Sequence, residues 1–232
     1  MSSSDRRPER HWILGIIARV LIAFALLALI THTLVRPFVI PSGSMEPTLM
    51  TGDRVFAKIV GVDGDQLRRG DIVVFGHGAT WADATLDEPD PVADALRHVG
   101  DVLGTGPSHR SHTVKRVIGL PGEKVSCCDT RGRLLVDGKP LDEPYVKNNL
   151  PMATGSECDS STPSARCFDE ITVPAGSYLV LGDNRANSAD SVAGCRGAAG
   201  PTCEPRFVRF DQVVGTLGWR WWPLPPGSAE RS

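Results

Sequence analysis

A mainly β, antiparallel domain behind one long N-terminal apolar helix is the fold class this sequence predicts. Three observations carry that reading. Residues 12–35 read WILGIIARVLIAFALLALITHTLV, an almost unbroken apolar run. Past it, apolar stretches are short, and most are closed by Gly, Pro or Asp-Asn turn signals. Gly 24 and Pro 18 are high together in 232 residues, as many turns between short strands require.

The elements follow in chain order. Met1 to His11 is a polar tail carrying Arg6, Arg7 and Arg10. As a helix, the next 24 residues span about 36 Å, more than the ~30 Å of a bilayer core. Arg19 lies seven residues into the run, close enough to one end to snorkel to the interface; facing a partner helix is the alternative. Ala23-Phe24-Ala25 sits inside the run, and THTLVRPFVIPS after it holds no small-x-small cleavage site, so the run reads as an uncleaved anchor. Three arginines precede it and only Arg36 follows closely, which predicts a single-pass plasma-membrane protein with its N-terminus cytoplasmic and the remainder outside.

Beyond the anchor, Arg54–Val60, Asp71–Phe75, Thr113–Leu120, Glu123–Cys128 and Ser177–Leu181 read as strands. Leu134–Val136 and the segment after Lys139 flank Asp137-Gly138, a two-residue hairpin signal. Phe207 to Trp222 carries one or two more, ending in LGWRWW. Its Trp219, Trp221 and Trp222 suit a membrane interface, and Trp219 and Trp221, which alternate onto one face, equally suit a core. Residues 76–111 read as an insertion. Within it Val92, Leu96, Val99 and Leu103 recur at helical spacing, with Asp90 and Pro91 to start the helix and Gly104 to end it. It reads as a lid over the sheet, or as a partner or membrane surface. The predicted organisation is a tail at 1–11, an anchor at 12–35, one extracytoplasmic domain at 36–226 and a loose end at 227–232.

Charge excludes little. Lys+Arg 25 against Asp+Glu 27 leaves a net −2, with no basic field for nucleic acid and no acidic tail. Six cysteines, Cys127, Cys128, Cys158, Cys167, Cys195 and Cys203, all follow the anchor, which outside the cytoplasm reads as disulfides. Cys195–Cys203 suits a local bridge; the others allow Cys158–Cys167, or a link from Cys127 or Cys128 to either. No pair has zinc-knuckle spacing, and no metal or cofactor is expected.

Three segments could carry chemistry. In IPSGSMEPTL, residues 40–49, Pro41 and Pro47 fix φ and Gly43 frees it, so Ser44 can be held rigidly. Read alone, this is a turn. A serine nucleophile needs a base. His77, His98, His109 and His112 cluster in or beside the insertion, so a Ser-His-Asp site lacks support, and His109 and His112 three apart read as solvated rather than as metal ligands. Lys115 in TVKRVIGLPG shares one face of an alternating strand with Val117 and Gly119; if that is the core side, burial lowers its pKa and makes it a base, and otherwise it is a surface lysine. LVLGDNRANSADS, residues 179–191, is by itself a polar loop.

Taken together and in this order, the anchor, PSGSMEPTL, RRGDIVVF, KRVIGLPG and GDNRANSADS resemble the bacterial type I signal peptidases. The resemblance runs from the anchor to Trp222, and the 36-residue insertion and paired cysteines look most like actinobacterial members. It implies a membrane-bound serine endopeptidase that removes signal peptides from exported preproteins, beside the bilayer and the secretion translocon, with no cofactor and no nucleic acid. It implies Ser44 as nucleophile and Lys115 as general base, with the Ser42 hydroxyl and the Ser44 N–H as oxyanion hole. It places Met45 beside the nucleophile and Ser188 as the lysine's hydrogen-bonding support. Asp183, Arg185 and Asp190 hold the last motif in shape, and Gly182 permits close approach.

One position departs from the pattern. Val192 stands where the family usually has an arginine paired with the aspartate, leaving Arg185 or Arg196 to take that place. A narrow-substrate Ser-Lys processing protease, an inactive relative, and a non-enzymatic single-pass binding or scaffold protein stay open. A self-cleaving repressor does not, because ten polar residues cannot form a DNA-binding domain.

Overall fold

The computed structural model describes residues 8–59, 65–77, 81, 112–152, 158–160, 163–197 and 203–222. Among these residues an N-terminal helix, α1 (Pro8–Thr33), precedes eleven strands. These are β1 (Val35–Val39), β2 (Arg54–Lys58), β3 (Ile72–Gly76), β4 (His112–Gly119), β5 (Lys124–Cys127), β6 (Leu134–Val136), β7 (Lys139–Pro140), β8 (Phe168–Thr172), β9 (Ser177–Leu181), β10 (Val208–Arg209) and β11 (Val213–Trp222). They form a seven-stranded sheet in the order β1-β2-β11-β3-β4-β9-β10 and a four-stranded one in the order β7-β6-β5-β8. Every strand pairing is antiparallel, as expected.

The helix ends two residues earlier than the apolar run. Pro37 cannot continue a helix, and Val35 to Val39 instead pair with Lys58 to Arg54, making an edge strand that the sequence reading absorbed into anchor and loop. Among the described residues no helix is long and apolar enough to cross a membrane. Along 12–26 the large apolar side chains, from Trp12 to Leu26, are exposed. β8 also escaped the sequence reading: FDEIT is short and half charged, and only Phe168 and Ile171 of it are buried. The expected insertion helix, with His98 and His109, lies outside the described residues.

Three apolar clusters hold the sheets. Ile118, Leu179 and Leu181 of the large sheet pack against Val125, Leu134, Phe168 and Ile171 of the small one, with Val192 and Cys195 beside them. Tyr178 and Val180, the alternating residues of β9, join Val73, Phe75, Trp81 and Val117 in the second. Ile40, Met45 and Leu49 of the first motif join Val55, Ala57, Val74 and Val114 in the third. That motif is therefore pinned by its apolar residues while Ser44 between them stays available. Asp137 at φ 48° and Gly138 at φ 73° make the expected hairpin turn between β6 and β7.

The structure pairs Cys158 with Cys167 and Cys195 with Cys203, their Cα atoms 5.4 and 4.6 Å apart. Cys127 and Cys128 pair with each other, and neither links to Cys158 or Cys167. The Cys128 N–H points at Cys158 Sγ (3.1 Å), and the sulfurs of Cys128, Cys158 and Cys167 lie within 4.8 Å of one another.

Candidate active site

The first motif leaves β1 and turns through a 3-10 helix at Gly43–Met45. Its ends are tied: the Ile40 N–H donates to Asp53 O (2.8 Å) and the Gly52 N–H to Ile40 O (2.8 Å). Asp53 itself pairs with Arg220 of β11 (3.1 Å). Ser44 sits in the 3-10 turn, 8 % exposed.

Lys115 projects from the middle of β4, 3 % exposed. Its Nζ donates to Ser44 Oγ at 2.7 Å and to Val114 O at 3.2 Å. Burial is the main cause that lowers its pKa from 10.5 to about 8; Asp190 and Asp183 oppose the fall and Arg206 assists it. A buried amine against a serine hydroxyl can accept the serine's proton. Ser42 is turned toward the same point, its hydroxyl donating to Ser44 Oγ over 3.5 Å. Met45, next to Ser44 in the chain, is buried.

The third motif closes over this pair. β9 delivers Gly182, where a Cβ would lie 2.5 Å from Ser44 O and closer still to Ser188 Oγ, so only glycine fits without movement. Ser188 departs from expectation. Its hydroxyl is buried and among the described residues has no hydrogen-bond partner, while Lys115 Nζ bonds to Ser44 Oγ and Val114 O.

Asp183 is fully buried. Arg116 grips it with Nε and Nη2 (2.8 and 2.6 Å), and the Thr48 hydroxyl donates to it (2.5 Å). Arg185 donates to Gly182 O (2.9 Å) and pairs with Glu143. Asp190, also fully buried, pairs with Arg196 at 2.9 Å and receives the Val192 N–H at 3.3 Å. Arg196 thus occupies the place opened by Val192, whose side chain is buried in the first core cluster, and Arg185 is committed elsewhere.

Several residues here were not singled out from sequence. Asn184 ties the first motif directly: its N–H donates to Ser44 O (3.1 Å) and its Nδ2 to Gly43 O (3.0 Å). Asn148 orients it, donating to Asn184 Oδ1 at 2.8 Å. Arg116, Thr48 and Asn184 each sit inside a motif already recognised, which was the available signal; Asn148 and Glu143 lie in a stretch with none. His77, one of the alternative bases, contacts Thr113 Oγ1 (2.6 Å), and the His112 ring packs edge-on to Phe38 (5.2 Å). Trp219 is 56 % exposed with its ring 5.1 Å from Phe56, so it lies at the surface rather than in the core.

The chain as a whole has counterparts among known proteins. The family described as signal peptidase, peptidase S26, matches residues 12–222. The chain belongs to this family. Signal peptidase IB of Staphylococcus aureus strain COL is 33% identical over 219 residues, covering 92% of this chain and 90% of that protein. A Mycobacterium leprae (strain TN) protein named "Probable signal peptidase I" is 32% identical over 200 residues, covering 83% of this chain and 67% of its own. A crystal structure of a signal peptidase I from Enterococcus faecalis V583 aligns at 25% identity and TM-score 0.35, over 66% of this chain and 97% of that one. The chain is thus a bacterial type I signal peptidase by family, an endopeptidase of the serine class.

Proposed function

We propose that the chain is a membrane-anchored peptidase that removes N-terminal signal peptides from exported preproteins, with Ser44 as nucleophile and Lys115 as general base. One observation carries the catalytic part: Lys115 Nζ lies 2.7 Å from Ser44 Oγ in a buried setting. Neutral Lys115 takes the Ser44 proton as Oγ bonds to the scissile carbonyl carbon. The carbonyl oxygen becomes an oxyanion met by the Ser44 N–H and the Ser42 hydroxyl. Collapse breaks the C–N bond, and the lysine's proton leaves on the new amine. Water then attacks the ester, giving its proton to Lys115. The carboxylate product departs as Ser44 regains a proton.

The apolar, exposed side chains of residues 12–26 support a membrane anchor, with the catalytic domain outside and the N-terminus in the cytoplasm. The substrate's signal segment is itself apolar, so enzyme and substrate meet on one surface at raised effective concentration. Exposed Trp219 suits a domain face at that interface, beside the translocon that delivers the preprotein. Cysteine pairs at Cys158–Cys167 and Cys195–Cys203 are consistent with disulfides in an oxidising compartment.

The test is cleavage of a preprotein with a small-x-small site by the purified full chain in detergent, beside Ser44→Ala and Lys115→Ala. The wild type cuts after that site, and both variants fold but are inactive. With Lys115 titrating near 8, kcat/KM falls about tenfold per pH unit below that value and is flat above it. Normal cutting by either variant overturns the serine–lysine assignment. A folded wild type that cuts nothing favours a non-enzymatic binding role.

A further inference from the structure

Asp190 presents an unusual problem for a lysine that must act as a base. Its carboxylate is fully buried, and among the charges acting on Lys115 it is the strongest that favours the protonated amine. Left unpaired, a buried carboxylate near the amine would hold the proton there. The other charges facing Lys115 are Arg206, which opposes protonation, and Asp183, which favours it but is held by Arg116 and Thr48.

Two arginines reach Asp190 from the segment after the motif. Arg206 donates only to the backbone carbonyl of Asp190 (3.2 Å), with its guanidinium over the Trp81 ring at 4.6 Å. Of the two, Arg196 meets the carboxylate, its Nη2 2.9 Å from Oδ2, beside the backbone N–H groups of Gly182 (3.4 Å) and Val192 (3.3 Å), while its Nη1 reaches Ser188 O at 3.4 Å. The Arg196 side chain is 11 % exposed. Its backbone is pinned on both sides: Cys195 is buried and paired with Cys203, and the Gly197 N–H donates to Cys167 O (2.8 Å). A long flexible side chain is thus delivered to one carboxylate from a fixed root.

We infer that Arg196 is a positioning residue for the peptidase reaction: it neutralises and turns the Asp190 carboxylate so that Lys115 stays a base. This rests on the assignment of Lys115 as the base of Ser44. Without Arg196, the Asp190 carboxylate loses its counter-charge and acts on the amine unopposed. That favours protonated Lys115, so the acid limb of activity moves upward. A purely structural role would instead lower activity at every pH and leave the limb in place.

The experiment compares kcat/KM against pH, from 6 to 10, for the full chain in detergent as wild type, Arg196→Gln and Arg196→Lys, on a peptide with a small-x-small site. Arg196→Gln is expected to move the acid limb up by about one pH unit, an about tenfold loss at pH 7 that largely recovers by pH 10. Arg196→Lys keeps the charge and holds its limb within about 0.3 unit of wild type. A Gln variant with an unmoved limb overturns the proposal, whatever its plateau. If the Gln variant does not fold, Arg196→Lys decides: a limb at the wild-type position with a plateau reduced by less than about tenfold supports the charge role, and a lower plateau refutes it. A wild type with no limb near 8 removes Lys115 as base and this inference with it, whereas a wild-type limb unchanged in Arg196→Gln removes the inference alone.

Discussion

Replacing Lys115 by methionine should abolish cleavage yet stabilise the protein, and the gain should depend on pH. The side chain is 3 % exposed and its pKa falls from 10.5 to about 8 on folding. Between those values the unfolded chain binds a proton that the folded chain does not, so stability rises with pH across that window. The penalty is complete below about 8 and absent above about 10.5. Linkage puts it at about 3 kcal/mol at pH 7 and about 1 kcal/mol at pH 10. Methionine fills a similar volume and carries no proton. The Lys115→Met stability difference should therefore shrink by about 2.5 kcal/mol from pH 7 to pH 10, whatever constant term the lost Ser44 hydrogen bond adds. Denaturant unfolding of both full chains in one detergent, followed by tryptophan fluorescence at three pH values, measures it. A difference that stays constant within about 0.5 kcal/mol would refute the reasoning, because Lys115 would then titrate alike in both states.

Three further outcomes are expected. Gly182→Ala forces a methyl against Ser44 O and Ser188 Oγ, and single-turnover cleavage should slow at least about 100-fold while unfolding stability drops far less than activity; near-normal turnover would mean the loop is not packed on the nucleophile. Asn184→Ala and Asn148→Ala should each reduce kcat, and together should cost less than their sum, with a coupling of about 1 kcal/mol in a double-mutant cycle; strict additivity would separate the two carboxamides. Asp183→Ala leaves Arg116 and Thr48 without their shared carboxylate and should lower unfolding free energy by about 3 kcal/mol or more, read by denaturant titration; a change under about 1 kcal/mol would show that the pair is solvated.

Most of the strands were legible because their cues are local. Period-two apolar runs closed by Gly, Pro or Asp-Gly marked β2, β3, β4, β5, β6 and β9, with Leu134–Val136 and Ser177–Leu181 matching to the residue. β1 and β8 were not legible. FDEIT carries two acids in five residues, and VRPFV begins within the apolar run; each becomes a strand only because β5 or β2 offers a ladder beside it. Residues inside contiguous motifs, such as Ser44 and Lys115, could be singled out because each motif keeps its neighbours together.

The sequence by itself determined that a rigid Pro-Gly turn would present Ser44, that Lys115 would sit in a strand with one apolar face, and that turn-punctuated strands would make an antiparallel β domain. Tertiary structure alone decided that 71 positions of chain separation close to a 2.7 Å contact. It also decided that Asn148 reaches Asn184, that the Ser188 hydroxyl finds no hydrogen-bond partner among the described residues, and that Arg196 rather than Arg185 pairs with Asp190. The reason is range. Turn geometry and alternation act within a few residues and can be read along the chain. Which buried charge meets which depends on how the two sheets and the loops between them pack, and there a carboxylate out of water is stable only where a counter-charge and hydrogen-bond donors meet it.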